Sequence, residues 1–348
     1  MSVYGLWNNK GGVGKSYLTF QIAAEYAVQN PEKTVVVIDL CPQANSSMML
    51  LGGVVDGYKN LESLKKNTIS GYIEERIISP YIDPKKGYLY LTKVNDFNEK
   101  IEKNLYLVAG DNSLELQADS IISSTRSGPG DAWQKVHLWI ADLITSIKDN
   151  FKNQDTTFFI DFNPSFSIYT TIELSTTDNL LIPFTTDESS LRAIINVISL
   201  IYGSNKPGVP DSLFFQNSKQ FRMTIPKIYM YIGNRLTQAN AGAASAFKSV
   251  INDITEEIWS LWKSDSSVFQ THPSNAPTPK NERLFKQMFL AEVNDANTAS
   301  VYSGVTGIPM PLVTSGPSKN MNGKKVTINQ SQLNKQIPNI KYLVSKIV

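Results

Sequence analysis

The stretch Asn9-Lys10-Gly11-Gly12-Val13-Gly14-Lys15-Ser16 decides the fold of this chain. It follows an apolar segment, Val3 to Trp7, and precedes an amphipathic stretch, Tyr17 to Gln29, so a buried strand, a glycine-rich loop and a helix follow one another. Glycines let such a loop turn tightly and direct backbone N–H groups at phosphate oxygens, and the helix N-terminus adds a favourable dipole. The stretch therefore predicts a phosphate-binding loop.

Residues within this loop have separate expected roles. The ammonium group of Lys15 can reach the β- and γ-phosphates of a nucleotide, and the hydroxyl of Ser16 can ligate Mg²⁺. The strict pattern G-x-x-x-x-G-K-[ST] requires glycine at the position where this chain has Asn9. The backbone amides expected to bind phosphate are those of Gly11, Gly12, Val13, Gly14 and Lys15.

Apolar runs alternate with helical patterns along the rest of the chain, which predicts parallel strands joined by helices. The buried-strand candidates are Val35 to Asp39, Tyr106 to Ala109, Thr157 to Asp161, Leu180 to Pro183 and Ile228 to Ile232. The main helical candidates are Asp131 to Asn150 and Ser189 to Tyr202. We expect an α/β fold with a doubly wound, mostly parallel sheet, and a loop over the Gly-, Pro-, Ser- and Asn-rich stretch Ser303 to Lys325.

Lys10 followed by two glycines resembles the deviant Walker A P-loop of the ParA/MinD family, which includes the nitrogenase iron protein. The stretch Val35 to Asn45 resembles the family's second carboxylate motif, and Phe158 to Ser165 resembles its Walker B strand. By this resemblance Ser16, Asp39 and Asp161 are the expected Mg²⁺ site. The resemblance to the family covers roughly residues 1 to 260.

The resemblance also implies ATP as the nucleotide. It places the asparagine of Asn234-Arg235 against adenine, and no aspartate of the kind that guanine-binding P-loop proteins use follows these residues. An asparagine at this point is equally consistent with a simple turn residue. The predicted nucleotide-binding set is therefore Lys10, the loop from Gly11 to Ser16, Tyr17 through its backbone, Asn234 and Arg235.

Two positions depart from the family pattern. Cys41 stands where the family has an aspartate that positions the attacking water, and Tyr17 replaces a small hydroxyl residue. A neutral thiol is a poor hydrogen-bond acceptor, and nearby phosphates raise its pKa further. We expect Lys10, Lys15, Asp39 and Cys41 to be the catalytic positions of an ATPase with slow hydrolysis.

Charge and cysteine content narrow the function classes. One cysteine excludes an internal disulfide and a shared iron–sulfur cluster, and the absence of a signal peptide or a membrane-length apolar run predicts a cytoplasmic protein.

The charge is unevenly distributed along the chain. Residues 1–202 carry 17 Lys and Arg against 23 Asp and Glu, whereas residues 203–348 carry 16 against 8. We expect an ATPase domain over residues 1–295 and a basic extension over 296–348, packed on that domain or trailing from it.

The leading functional hypothesis is an ATP-gated homodimer in which Lys10 of each subunit reaches the partner's phosphates. The closed dimer would bind double-stranded DNA without sequence preference through Lys319, Lys324 and Lys325, would associate with the nucleoid, and would be reset by a ParB-like or other adaptor protein. A solvated surface explains the lysines equally well. A MinD-like membrane contact through the apolar stripe of Ile337 to Val348 and a P-loop amide-forming synthetase are the alternatives.

Overall fold

An eight-stranded sheet forms the centre of the structure, which is a computed structural model describing residues 2–152, 154–203, 208–236 and 241–348, without the side chains of residues 188 and 241–247. The strands are β1 (Ser2–Leu6), β2 (Thr34–Asp39), β3 (Thr92–Lys93), β4 (Leu105–Val108), β5 (Thr156–Asp161), β6 (Asn179–Phe184), β7 (Lys227–Leu236) and β8 (Leu290–Asn294). Their order is β3-β4-β2-β5-β1-β6-β7-β8. All neighbours pair in parallel except β3 with β4, which confirms the predicted mostly parallel sheet.

Helices cover both faces of the sheet. They are α1 (Lys15–Gln29), α2 (Asn45–Leu50), α3 (Gly53–Ser63), α4 (Ile69–Ile78), α5 (Leu114–Arg126), α6 (Ala132–His137), α7 (Trp139–Phe151), α8 (Ile168–Leu174), α9 (Glu188–Tyr202), α10 (Leu213–Gln220), α11 (Ala241–Ser264), α12 (Glu282–Phe289), α13 (Thr298–Thr306) and α14 (Gln330–Ser345). Short 3-10 turns cover Gly87–Tyr90, Val94–Asp96, Ser266–Val268 and Met310–Leu312.

Two hydrophobic cores lie on the two faces, because successive side chains of a strand point in opposite directions. Val3 and Val36 belong to the core that also contains residues of α7, α9 and α11. Tyr4 and Val35 belong to the core formed with α1 and α14. Burial on both faces explains why the central strands read as continuous apolar runs rather than as alternating patterns. The fold is thus doubly wound, as predicted.

Several elements differ from the sequence-based expectation, and one of them is the two-residue edge strand β3, which was not predicted. The predicted helix from Asp131 to Asn150 is two helices, α6 and α7, separated at Leu138. Strand β8 was not predicted, because it is an edge strand whose exposed Glu292 interrupts the apolar run. The prediction of a loop over Ser303 to Lys325 was wrong. That stretch contains the end of α13 and most of a hairpin formed by β9 (Gly316–Met321) and β10 (Lys324–Ile328).

The signal for the hairpin is the pair Asn322-Gly323, whose φ angles are 50° and 80°. Positive φ at both central positions defines the tight turn that matches the twist of two antiparallel strands, and Asn-Gly favours it most strongly. The sequence analysis missed this tight turn because it treated asparagine and glycine only as residues typical of loops. A small hydrophobic cluster that includes Ile328, Met310 and Leu333 holds the hairpin against α13 and α14.

Helix α14 packs on the sheet rather than extending into solvent. Ile340, Leu343, Val344 and Ile347 are buried, and the helix contacts α1 and β8. The apolar stripe considered for membrane binding is therefore covered by the protein itself. None of the helices within the described ranges is long and apolar enough to span a bilayer. Division of the chain at residue 295 stays a prediction.

Candidate nucleotide-binding site

The phosphate-binding loop joins β1 to α1 at the carboxyl end of the sheet, where ligands of open α/β sheets bind. Gly12 and Gly14 have φ angles of 77° and 85°, which side chains rarely adopt. A Cβ atom at Gly14 would also lie 2.3 Å from the amide nitrogen of Asn234. Glycine is therefore favoured at position 14 by the backbone conformation, and a side chain there would displace the Asn234 amide group.

Lys15 begins α1 and is buried inside the loop. Its ammonium group donates hydrogen bonds to the carbonyl oxygens of Asn8, at 3.2 Å, and Lys10, at 3.4 Å. Burial lowers the pKa of Lys15, while the charges of Asp161, Cys41 and Glu173 oppose that shift. The geometry places this cation within the loop whose amides are expected to hold phosphate.

Asp39 and Asp161 end β2 and β5 and pair with each other in the sheet register. The carboxylate of Asp39 accepts hydrogen bonds from the backbone N–H of Cys41 and from the N–H and hydroxyl of Ser47, at 3.0, 3.0 and 2.6 Å. It thereby positions the start of α2. Burial raises the pKa of Asp39 despite these donors.

Asp161 is also fully buried, but neither of its carboxylate oxygens has a hydrogen-bond partner within the described residues. Burial and the charge of the neighbouring Asp39 raise the pKa of Asp161 to about 7. The nearby hydroxyls of Ser16 and Ser46 and the charge of Lys15 act in the opposite direction. Leaving a buried carboxylate unpaired is unfavourable by several kcal/mol unless a cation or donor meets it. This orphaned carboxylate next to Ser16 fits a hydrated Mg²⁺ ion, with Ser16 as a ligand and Asp161 accepting from a bound water.

Cys41 lines the same cavity as Gly11, Gly12, Gly14, Lys15 and Ser16. Its side chain is buried, and burial together with the charges of Asp39 and Asp161 raises the pKa of the thiol well above its usual range. The group is a neutral S–H at neutral pH. The effect of nearby phosphates on this thiol stays a prediction.

Asn234 and Arg235, near the end of β7, also contact the phosphate-binding loop. The Asn234 amide group donates to the carbonyl oxygen of Val13 at 2.9 Å, and Arg235 donates to that of Gly12 at 3.5 Å. The remaining amide oxygen of Asn234 is buried without a partner in the described part of the chain. This free group can only accept a hydrogen bond.

Lys10 turns away from the loop and toward α9. Its ammonium group forms an ion pair with Asp187 and donates to the hydroxyls of Thr185 and Ser190, both at 3.1 Å. Asp187 also caps α9 by accepting from the N–H of Ser190. Partial burial raises the pKa of Asp187, but hydrogen bonds from Lys10, Ser189 and Thr185 outweigh it and hold that pKa well below its usual range.

A cavity of about 730 Å³ connects most of the predicted residues. Its lining includes the loop, Tyr17, Cys41, Asn234 and Arg235, and it continues along α13 past Asp295 and Ser300. The predicted DNA-binding lysines are not part of this site. Lys319, Lys324 and Lys325 lie on the hairpin, where Lys324 and Lys325 are exposed and Lys319 is partly buried and donates to Thr314 at 2.8 Å.

Sequence reasoning did not identify several residues of this region. Glu173 on α8 is fully buried, accepts from the N–H of Asn163 at 3.3 Å, and has its pKa raised well above the usual range by burial. Asp187 carried a detectable signal, since an aspartate three residues before a serine at the start of a helical pattern is a capping signature. Gln336, on α14, carried no such signal in the sequence.

Comparison with known proteins places this site in a family. A family model described as an AAA domain matches residues 1–208, more than half of the chain. The chain belongs to the ParA/MinD-like P-loop family. This membership confirms the resemblance inferred from Lys10 and the carboxylate motifs, and it accounts for the P-loop at the centre of the sheet.

Solved structures agree with the ParA/MinD-like fold. Apo McdA from Cyanothece has a TM-score of 0.56 at 13% identity, with 98% of each chain covered. A plasmid partition protein from Borrelia burgdorferi B31, solved with AMPPNP, has a TM-score of 0.50 at 14% identity and covers 100% of this chain and 99% of its own. At these identities the likeness shows the fold alone. No functionally curated protein matches the sequence significantly.

Proposed function

We propose that this ParA/MinD-like protein is an ATP-driven dimeric switch that binds DNA without sequence preference in its ATP state and positions DNA or another cargo with an adaptor protein. The observation that carries the proposal is the unpaired, buried carboxylate of Asp161 beside Ser16 and Lys15, two residues that line a cavity large enough for a nucleotide. The plasmid partition protein that shares the fold supports a role in partition or positioning.

The unpaired side-chain oxygen of Asn234 is an acceptor that suits the exocyclic amino group of adenine. Adenine presents an amino group at the position where guanine presents a carbonyl oxygen, and only the amino group can donate to an acceptor. Because the Asn234 N–H₂ group is engaged with Val13, the side chain cannot readily rotate to donate instead. We therefore propose ATP with Mg²⁺ as the bound nucleotide.

The ion pair of Lys10 with Asp187 suggests how dimerisation is controlled. In the proposed dimer Lys10 leaves Asp187 and reaches the partner's phosphates, so the intramolecular pair competes with the intermolecular contact. We expect Lys10→Ala to bind Mg-ATP within about threefold of wild type, since other groups hold the phosphates, and to remain a monomer in sedimentation with ATP. A nucleotide-dependent dimer of Lys10→Ala would refute this role.

A matched variant separates the charge of Asp187 from its capping role. Asp187→Asn keeps a side-chain oxygen that can cap α9 but weakens the hold on Lys10. We expect it to dimerise at a lower ATP concentration than wild type, by a factor of about three to ten for an ion pair worth about 1 kcal/mol at a partly exposed site. Unchanged or weaker dimerisation would argue against the competition.

The proposed DNA contact is the exposed end of the hairpin, in the half of the chain with the positive balance. We expect Lys324→Ala/Lys325→Ala to weaken binding of duplex DNA in the presence of ATP and to lower the dependence of log affinity on log salt by about 0.9 for each phosphate that is no longer neutralised. The control is Lys100→Ala/Lys103→Ala, which removes two exposed lysines from the acidic half. DNA binding that needs no ATP, or an equal weakening in both variants, would overturn the proposal.

A further inference from the structure

Tyr17, the residue after Ser16 of the P-loop, is joined to the C-terminal helix. Its phenol oxygen donates a hydrogen bond of 2.6 Å to the side-chain oxygen of Gln336, which is 319 residues away in the chain. Burial raises the pKa of Tyr17, so the phenol stays neutral and retains its donor proton. The first turn of α1, which follows the phosphate site directly, is thus connected to α14.

Gln336 is the centre of a buried polar network. Only 1% of the residue is exposed, and its amide group donates to the carbonyl oxygen of Asn294, at 2.8 Å, and to the hydroxyl of Ser300, at 3.2 Å. Ser300 in turn accepts from the N–H of Ala296 at 3.1 Å. A single side chain of α14 therefore fixes both Tyr17 and the segment between β8 and α13.

The groups fixed by Gln336 form one wall of the nucleotide cavity. Tyr17, Asp295, Ser300 and Gln336 all line it, together with the P-loop. In the proposed binding mode, a nucleotide whose phosphates occupy the P-loop extends its nucleoside along this wall of the cavity. Because a ligand favours the state in which its binding surface is assembled, occupation of the cavity favours the docked position of α14.

We propose that α14 is a structural part of the nucleotide site and that the hydrogen bond from Tyr17 to Gln336 couples nucleotide binding to docking of the C-terminal segment, including the hairpin. The inference rests on the proposed function and adds a route within one protomer by which ATP acts on the DNA-binding lysines. Binding linkage is reciprocal, so undocking of α14 weakens nucleotide binding by the same factor by which the nucleotide stabilises docking.

The position of the hairpin depends on that of α14, because the two are continuous in the chain and share a hydrophobic core. Strand β10 ends at Ile328, and the next residue, Asn329, caps α14 through a capping box with Gln332. Ile328 and Leu333 lie in the same hydrophobic cluster. Lys324 and Lys325 are therefore placed by the packing of the hairpin on α13 and by its continuity with α14, rather than by an independent tail.

The test uses the full chain with Mg-ATP as the probe. Tyr17→Phe removes only the hydroxyl and keeps the ring and the backbone N–H, and Gln336→Leu removes the whole network at similar volume. Asn334→Ala is the control, because Asn334 is an exposed residue of α14 whose side chain accepts a hydrogen bond from Gln330 on the same helix. We expect ATP affinity to fall about fivefold in Tyr17→Phe, more in Gln336→Leu, and not in the control.

Hydrogen exchange supplies the readout that a loss of affinity alone does not. In wild type, Mg-ATP should slow amide exchange in α14 and in the hairpin more than in α7, which lies on the opposite face of the sheet. That selective protection should be reduced in Tyr17→Phe. Because this variant is nearly isosteric, it keeps the test decisive even where Gln336→Leu fails to fold.

The outcomes separate this inference from the proposed function. Failure of wild type to bind Mg-ATP would overturn the proposed function itself. Wild-type binding that leaves exchange in α14 no more protected than in α7, with Tyr17→Phe binding as tightly as wild type, would overturn the coupling alone.

Discussion

Replacing Lys15 with alanine is expected to abolish measurable binding of Mg-ATP. The ammonium group lies inside the P-loop, and in the proposed function it contacts the β- and γ-phosphates of the nucleotide. Two charge-assisted hydrogen bonds to phosphate contribute about 3 kcal/mol or more together, which corresponds to a loss of at least about 100-fold in affinity. Isothermal calorimetry measures this directly.

The control for Lys15→Ala is Lys103→Ala, which removes an exposed lysine just before β4, at the end of the sheet opposite the P-loop. Both variants should retain the circular dichroism of wild type, so that a loss of binding reports the missing ammonium group rather than unfolding. An affinity for ATP in Lys15→Ala within a few-fold of wild type would show that the phosphate site lies elsewhere.

Replacing Cys41 with aspartate is expected to accelerate ATP hydrolysis by about 100-fold, the lower end of the range that a positioned proton-accepting group supplies. The thiol is neutral because burial, Asp39 and Asp161 raise its pKa, so it is a poor acceptor for the attacking water. A carboxylate at the same point adds a strong acceptor. Phosphate release under saturating Mg-ATP gives the rate.

The same substitution should lower thermal stability without nucleotide, since it adds a third carboxylate next to Asp39 and Asp161 in a buried region. Mg-ATP should restore most of that stability, because the bound cation compensates the added charge. Cys41→Ser, which is small and neutral, is the matched control and should stay as slow as wild type. Equal rates in the serine and aspartate variants would show that another residue orients the water.

Local sequence patterns were sufficient for the P-loop and for most of the sheet. Gly12 and Gly14 are recognisable because the loop requires a backbone conformation that side chains disfavour, and Lys15 and Ser16 follow at fixed spacing. Asp39 and Asp161 were singled out by the resemblance of their segments to the carboxylate motifs of the family, and each ends a fully buried strand of the parallel sheet. These features depend on residues close together in the chain.

Sequence patterns failed where the structure depends on an edge or on a turn. The exposed Glu292 removed the continuous apolar signal of β8, and the C-terminal hairpin was read as loop because its turn residues are also common loop residues. In both cases the strands are only partly buried, so their hydrophobic pattern is weak.

Only the tertiary structure decided which distant side chains complete the site. The partners Lys10 and Asp187 are 177 positions apart, and Tyr17 and Gln336 are 319 apart. No local pattern encodes such a pair, because its geometry depends on the packing of α9 and α14 against the sheet. The sequence by itself determined a phosphate-binding P-loop in a doubly wound fold, whereas long-range packing decided that Lys10 is held by Asp187 and that the C-terminal helix lines the nucleotide cavity.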